Sequence, residues 1–416
     1  TSWDTTVKTT GTFTATAGVG YFLNTTGGTI TVNLPVGAAG SSVALADYAG
    51  TWQTNNVTVA ANGTEKIGGI DADVTLNTEG QAVTFVYIDG TQGWVNVLDS
   101  TSNVRGIPPF IGATGGTPAC GTTCGDYKYH KFTGPGTFCV SRLATCCAAV
   151  NNLVSYMVVA GGGGGGSGRG GGGGAGGFRE VVSPGSPYTG SPLNGYPSAP
   201  LRITVTKTAY PITVGAGGAG QPGPSNLGVA SRGANSVFST ITSNGGGGGR
   251  DDDSPAPPNP DTNGGSGGGA GGGASPVNIG GNGNSPATPV AQGTNGGPGA
   301  APAGPLGNNG AGGGGATVAG TSTVGGSAGG AGATTSITGS PTAYAGGGGG
   351  GSCNGCLGSG PGGIGGGGAG GTIPGATGSI GAINTGGGAG GKGGSCSTGC
   401  GGLGGSGIVI IRYKYK

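Results

Sequence analysis

Residues 155–166 read Ser-Tyr-Met-Val-Val-Ala-Gly-Gly-Gly-Gly-Gly-Gly. An apolar run of strand composition passes, with no turn signal between, into six consecutive glycines. The reverse order closes the chain: Gly404-Gly-Ser-Gly-Ile-Val-Ile-Ile-Arg-Tyr413 puts the glycines first and the strand after them. A long glycine-rich region is therefore bracketed by two apolar β segments, which are expected to pair and to close a β module around it. Between them lie the glycine tracts 161–166, 170–174, 245–249, 267–273 (with Ala270), 312–315, 346–351, 365–371 (with Ala369) and 386–391 (with Ala389).

Glycine and proline account for 113 and 26 of the 416 residues, which excludes long α-helices. The tracts do not hold glycine at every third place, so a collagen triple helix is excluded as well. A flexible linker is the other common reading of such composition; the apolar strands at both ends favour order. Glycine extends as a left-handed three-residue helix rising about 3.1 Å per residue, so six residues span roughly 19 Å. That helix makes no internal hydrogen bond, and every N–H and C=O points sideways and needs a partner when buried. Parallel or antiparallel glycine helices supply those partners, because no Cβ keeps the main chains apart. Ordering a residue costs about 1–2 kcal/mol and one net hydrogen bond returns about 0.5–1.5 kcal/mol, so a lone run cannot order itself and several must assemble together. The expected fold class is all-β plus polyglycine II: a small β-sandwich first, then a β-sandwich carrying a bundle of packed left-handed glycine helices. Interspersed alanines are expected on the outside of the bundle.

Residues 1–103 read as a separate small β-sandwich for docking or extension. Short alternating apolar runs are punctuated by Asn-Gly, Gly-Gly and Asp-Gly, the pattern of an antiparallel sandwich or barrel-like module. Its expected core is Phe13, Tyr21, Leu34, Val43, Leu45, Trp52, Val57, Val59, Leu76, Phe85 and Val95. Residues 104–126, with Pro108-Pro109 and Gly115-Gly116, read as a linker. Residues 127–416 form the glycine-rich β/polyglycine II domain, with further strands expected at 127–133, 136–141, 201–206, 211–214 and 236–242.

Chemistry is sparse. Sixteen basic and fourteen acidic residues leave a net charge of +2, with no clustered basic face for nucleic acid. No run of eighteen apolar residues exists, so no membrane insertion is expected. The first residues, Thr1-Ser2-Trp3-Asp4, lack a secretory layout, which leaves open a removed leader, a start inside a longer chain, or another export route. His130 is the single histidine, so a two-histidine metal site is impossible. A nucleophile pair with Cys139 has no further support, and a strand-edge histidine is the better reading. Glycine motifs carry no information at this glycine content, and Gly391-Lys392-Gly393 lacks the Ser or Thr of a phosphate loop. No cofactor, no metal and no enzymatic activity are expected.

The non-glycine segments should become loops gathered at the two tips of the bundle: 184–200, 250–262, 285–309, 352–361, 372–385 and 392–403. Loops on a rigid scaffold are where binding usually sits. The candidate recognition residues are Tyr188, Asn194, Tyr196, Arg250, Asp251, Asp252, Asp253 and Asn259. Tyr188, Tyr196 and Tyr344 could stack on sugars or equally buttress the bundle, and Asp251 to Asp253 with Asp261 read as a calcium site or, preferably, a solvated acidic turn. The nine cysteines include the close pairs Cys120/Cys124, Cys146/Cys147, Cys353/Cys356 and Cys396/Cys400. For Cys353, Cys356, Cys396 and Cys400, zinc is one reading and disulfides the favoured one, with Cys120/Cys124 as a further disulfide pair.

The stretch 155–166, the following Gly-Gly-Gly-Ala-Gly-Gly-Phe-Arg179, Tyr210-Pro-Ile-Thr-Val-Gly-Ala-Gly-Gly-Ala-Gly220, Ser236-Val-Phe-Ser and the ending 404–413 resemble the glycine-rich domain of virion proteins of tailed phages, notably marine and cyanobacterial ones. Gly20-Tyr-Phe, Val43-Ala-Leu-Ala-Asp47, Glu65-Lys-Ile-Gly-Gly69 and Val86-Tyr-Ile-Asp-Gly-Thr-Gln-Gly-Trp94 resemble modules of the same class of structural protein. The resemblance implies a tail fibre or fibre-tip adhesin on the virion surface, an extracellular particle, with loops for host recognition and no catalytic residue. The partners it implies are other virion proteins and a host surface protein or glycan, with the chain in many copies or as a homo-oligomer. The alternative is a head-decorating or fibre-shaft protein without receptor binding. A polysaccharide depolymerase would need clustered carboxylates in a groove, and the acidic residues are few and scattered. The cysteine-bearing loops depart from the resemblance.

Overall fold

The first strands run alternately into two different sheets. In a computed structural model, which describes residues 2–100, 110–144, 150–223, 228–251, 260–273, 279–299, 309–322, 327–352, 358–372, 375–394 and 399–416, the chain divides into the units Thr1–Ile107 and Pro108–Lys416. The first contains β1 (Ser2–Lys8), β2 (Gly11–Thr14), β3 (Val19–Leu23), β4 (Ile30–Asn33), β5 (Ser42–Asp47), β6 (Val57–Ala60), β7 (Val74–Leu76), β8 (Ala82–Asp89) and β9 (Gly93–Ser100). One sheet has the order β1-β3-β5-β8-β9 and the other β2-β4-β6-β7. The two share a core that includes Leu23, Val43, Leu45 and Phe85 from one side and Ile30, Val32, Val57 and Val59 from the other.

The expected antiparallel pairing needs correction here. β1, β3 and β5 are mutually parallel, as are β2, β4 and β6; only the later strands pair antiparallel. The turns between the early strands join opposite sheets instead of neighbours within one sheet, so each strand of one sheet serves as the crossover of the other. Turn chemistry alone cannot distinguish the two cases. Of the expected core, Tyr21, Leu34, Val43, Leu45, Trp52, Val57, Val59, Leu76 and Phe85 are buried, while Phe13 only flanks the cluster. Trp94 fills the place expected of Val95.

The second unit contains β10 (Gly112–Thr114), β11 (Thr122–Cys124), β12 (Tyr127–Phe132), β13 (Gly136–Arg142), β14 (Leu153–Val159), β15 (Phe178–Val181), β16 (Ile203–Thr204), β17 (Ala209–Thr213), β18 (Ser236–Phe238), β19 (Ile241–Ser243), β20 (Ala333–Thr335), β21 (Thr342–Tyr344) and β22 (Ile408–Lys414). Two sheets, β10-β13-β17-β18-β19 and β11-β12-β22-β14-β15 with β16 beside β14, enclose one core. The stretch 104–126 is therefore not all linker: β10 and β11 lie within it and pair with β13 and β12. Their cores are too short to register as alternation, and they are held by the neighbouring strands. The bracketing strands β14 and β22 pair antiparallel from Ser155 opposite Arg412 to Val159 opposite Ile408. Both are buried on two faces. Tyr156, Val158, Val409 and Ile411 meet the other sheet, whereas Met157, Val159, Ile408 and Ile410 meet Ala175, Ala316, Ile337, Tyr344 and Ala345. That accounts for their continuous apolar sequence. Among the described residues the fold is all-β, with no α-helix.

The glycine tracts leave the ends of these strands as rods. Rod 161–166 donates from Gly161 and Gly164 to Ala234 and Ser231, from Gly162 and Gly165 to Gly405 and Gly402, and from Gly163 and Gly166 to Gly174 and Gly171. Its carbonyls accept in the same rhythm from three other rods: from Gly246 and Gly249, from Gly218 and Gln221, and from Ala389 and Lys392. All twelve bonds measure 2.8–3.0 Å. Residues three apart thus share a neighbour, and six neighbours surround the rod, three receiving and three giving. None of these glycines has a positive φ. Rod 170–175 repeats the scheme, donating to 386–392, 244–250 and 311–314 and accepting from 163–166, 266–269 and 348–351. This period-three, six-neighbour pattern gives each buried main-chain donor and acceptor of the two rods a partner.

Packing explains the residue type. A Cβ on Gly163 would sit 2.1 Å from the Gly247 carbonyl oxygen, and one on Gly172 2.1 Å from that of Gly348. Rim rods obey a looser rule. In 375–383 the inward Gly378 and Gly381 are buried, while Thr377, Ile380 and Ile383 point out. The alanines divide likewise: Ala216 and Ala219 are exposed as expected, but Ala175, Ala270, Ala311 and Ala389 are fully buried. Ala175 belongs to the apolar cluster against β14 and β22.

Candidate functional site

The register of the rods sorts their connections between two ends. At one end the rods join the sheets: residue 160 follows β14, 177 precedes β15, 214 follows β17, 244 follows β19, 345 follows β21 and 407 precedes β22. At the far end the turn 166–170 brings Gly166 beside Gly171, Lys392 beside Gly170 and Gly351 beside Gly310. The described residues on either side of 224–227, 252–259, 274–278, 300–308, 323–326, 353–357, 373–374 and 395–398 all lie at this far end. The rods that reach it form a scaffold cross-linked by main-chain hydrogen bonds.

Sequence-predicted residues scatter over this frame. Asp252, Asp253 and Asn259 fall outside the described residues, as do Cys146, Cys147, Cys353, Cys356 and Cys396. Arg250 and Asp251 are at the far end but buried, not presented, so they are withdrawn as recognition residues. The rod continues through Arg250, whose N–H donates to the Gly269 carbonyl and whose carbonyl accepts from Gly171. One Asp251 carboxylate oxygen accepts from the Gln221 amide at 3.2 Å and from the Gly228 N–H at 2.9 Å. Burial pulls the Arg250 guanidinium below its ordinary pKa, against the opposing pull of Asp251. The acidic turn is thus not solvated at Asp251, and no group of three metal-ligating side chains occurs among the described residues.

The 184–200 loop belongs to the sandwich and not to a bundle tip. Ser186 Oγ lies 2.6 Å from Ser155 Oγ on β14 and 3.2 Å from the Arg412 carbonyl on β22. Tyr188 has a buried hydroxyl beside Glu180; desolvation, reinforced by the Glu180 charge, pushes it well above the ordinary tyrosine value. Its ring and that of Tyr127 flank the buried Arg412 guanidinium at 5.6 and 4.5 Å. Glu180 accepts from the Ser191 N–H at 2.7 Å and from the Thr335 hydroxyl. Tyr188 is therefore a buttress, and Tyr344 is buried as well. Asn194 Oδ1 is engaged internally, accepting from the N–H groups of Val182 and Tyr196 at 3.0 and 3.1 Å. Tyr196 is half-buried against the sandwich core, and the Arg202 guanidinium lies over its ring at 4.4 Å. Arg202 was not singled out from sequence; an arginine six residues past a tyrosine carries no distinctive spacing.

His130 is a core histidine on β12, between β11 and β22 and not at a sheet edge. Nδ1 is 2.7 Å from the Gly115 carbonyl and Nε2 3.0 Å from the Tyr413 hydroxyl. Both ring nitrogens are occupied, and burial lowers the imidazole pKa. Cys139 is exposed and has no such partner. Cys120 and Cys124 are free thiols, so the expected disulfide between them is absent: Cys120 is exposed, whereas Cys124 is half-buried with its sulfur against Gly339. An open cleft of about 300 Å³ near Thr117 and Phe132–Gly136 has no charged residue in its lining.

A family model described as a glycine-rich domain matches residues 133–414. No curated protein matches the chain.

Proposed function

The chain belongs to the glycine-rich domain family, and from that premise we propose that it is a non-enzymatic attachment protein of a tailed-phage virion, a tail fibre or fibre-tip adhesin. The observation that carries the reading is the geometry of the far end: rods held on up to six sides end there together and form a rigid support for the segments that join them. A stiff support lowers the ordering cost of loops at contact, and many copies on one particle add avidity. The resemblance of the strand-to-glycine junctions to phage virion proteins supports the same reading. The Tyr196–Arg202 pair on the sandwich is a second, separate contact candidate.

The test uses the labelled full-length chain on a panel of bacterial strains, in competition with adsorption of the phage. A chain in which residues 252–259 are exchanged for Gly-Ser, and a Tyr196→Ala/Arg202→Ala chain, are compared at equal melting temperature. Loss of cell binding with the first exchange supports far-end recognition. Absence of binding to every strain, together with antibody label on the head lattice instead of tail or fibre ends, replaces adhesion by the decorating role.

A further inference from the structure

One rim rod has the composition of an interior rod. Residues 215–220 read Gly-Ala-Gly-Gly-Ala-Gly, as bare as 172–177 in the middle of the bundle, yet Ala216 and Ala219 are exposed. Three sides of this rod are filled. Gly218 and Gln221 donate to Gly162 and Gly165; the carbonyls of Ala216 and Ala219 accept from Ala234 and Ser231; those of Gly215 and Gly218 accept from Gly407 and Gly404. Left without a partner among the described residues are the N–H groups of Ala216, Gly217, Ala219 and Gly220 and the carbonyls of Gly217 and Gly220. At period three these form two donor rows and one acceptor row facing solvent.

We propose that this face is an open edge of the bundle that takes up a further glycine-rich three-residue helix from a partner chain, as an exposed strand edge takes up a strand. Sterics permit it. Ala270, Ala311 and Ala389 lie fully buried with their hydrogen bonds intact, Ala311 donating to Ala270 at 2.8 Å and Ala389 to Gly163 at 3.0 Å, so alanine at 216 and 219 does not hold a rod away. Two other rim rods are blunted: unpaired N–H positions of 375–383 and 399–406 carry Ile380, Ile383 and Leu403, 63, 71 and 56 % exposed, while rod 327–332 leaves one such row, at the half-buried Ala328 and Ala331, against two donor rows on 215–220. The hydrogen bonding also selects the occupant. Toward each neighbour, rods 161–166 and 170–175 either donate or accept, never both. Two copies of 215–220 related by a two-fold axis would set like rows against like, so a symmetric dimer through this edge is disfavoured. The occupant must turn a row of carbonyls, bare of side chains, toward the donor rows.

The probe is a soluble peptide, Lys-Lys-Gly-Gly-Gly-Ala-Gly-Gly-Gly-Lys-Lys, added to the full chain labelled with ¹⁵N-alanine. Amide exchange of Ala216 and Ala219 should slow about tenfold or more, with shifts at these two signals and none at Ala175 or Ala311. An Ala216→Leu/Ala219→Leu chain of unchanged melting temperature should bind about tenfold more weakly. The proposal is overturned by unchanged Ala216 and Ala219 signals at millimolar peptide, by equal binding to the leucine variant, by equal binding of a proline-rich peptide of the same length, or by self-association that protects these same amides.

Discussion

Replacing Gly163 by alanine puts a methyl 2.1 Å from the Gly247 carbonyl oxygen in the interior of the bundle. Ordinary contact needs about 3.5 Å, so one rod must yield by more than 1 Å. The Gly247 carbonyl accepts from Gly174 at 2.8 Å, and Gly246 and Gly249 donate to Gly161 and Gly164 at 2.9 Å. A displacement of that size takes two or three of these bonds beyond hydrogen-bonding range. Each buried group left without a partner costs about 1–3 kcal/mol, while alanine returns about 0.4–1 kcal/mol by restricting the unfolded chain. The expected loss is about 3–5 kcal/mol, or roughly 5–8 °C in melting temperature for a unit of this size. Gly358→Ala is the matched control, since a Cβ there meets nothing within 4 Å; its melting temperature should stay within about 1 °C. Calorimetry on both chains decides the matter. Equal melting of the two would refute main-chain contact as the source of order.

Four further outcomes follow from the sandwich. His130 is held below its ordinary value of 6.5 by burial, so the unfolded chain binds the proton first; stability should be full above pH 6.5, fall as the pH drops below it, and fall less in His130→Gln, by thermal melts from pH 7.5 to 5. Tyr156, Tyr188, Tyr344 and Tyr413 are all pushed upward by desolvation; ultraviolet titration should show them ionising only as the fold opens, and a single transition near pH 10 for all twelve tyrosines would contradict their burial. Glu180→Ala removes the acceptor of Ser191 and Thr335 and should hasten tryptic cleavage at Arg202 with a loss of about 1–3 kcal/mol; unchanged cleavage would detach the loop from that carboxylate. Native alkylation followed by peptide mass mapping should modify Cys120, Cys139 and Cys400 without denaturant, whereas a Cys120–Cys124 cross-linked peptide would overturn the free-thiol assignment.

Much of this protein is legible in single residues. The glycine tracts forbid helix, and the apolar runs before Gly161 and after Gly407 announce the two strands that pair as β14 and β22. Consecutive glycines mark rods packed against other backbones, because at positions such as Gly163 and Gly172 a Cβ would meet a neighbouring carbonyl; where a methyl fits, as at Ala175 and Ala389, only the packing decides. What the sequence could not order is who stands beside whom. Parallel β1, β3 and β5 arise from strands that alternate between sheets, and nothing in a Gly-Gly or Asp-Gly turn records that. Arg250, Asp251 and the Tyr188 hydroxyl looked like loop-tip chemistry and became buried supports, since burial depends on chain brought from far along the sequence. The same holds for 215–220: its residues spell an interior rod, and only the packing of three neighbours, with three sides left open, makes it an edge.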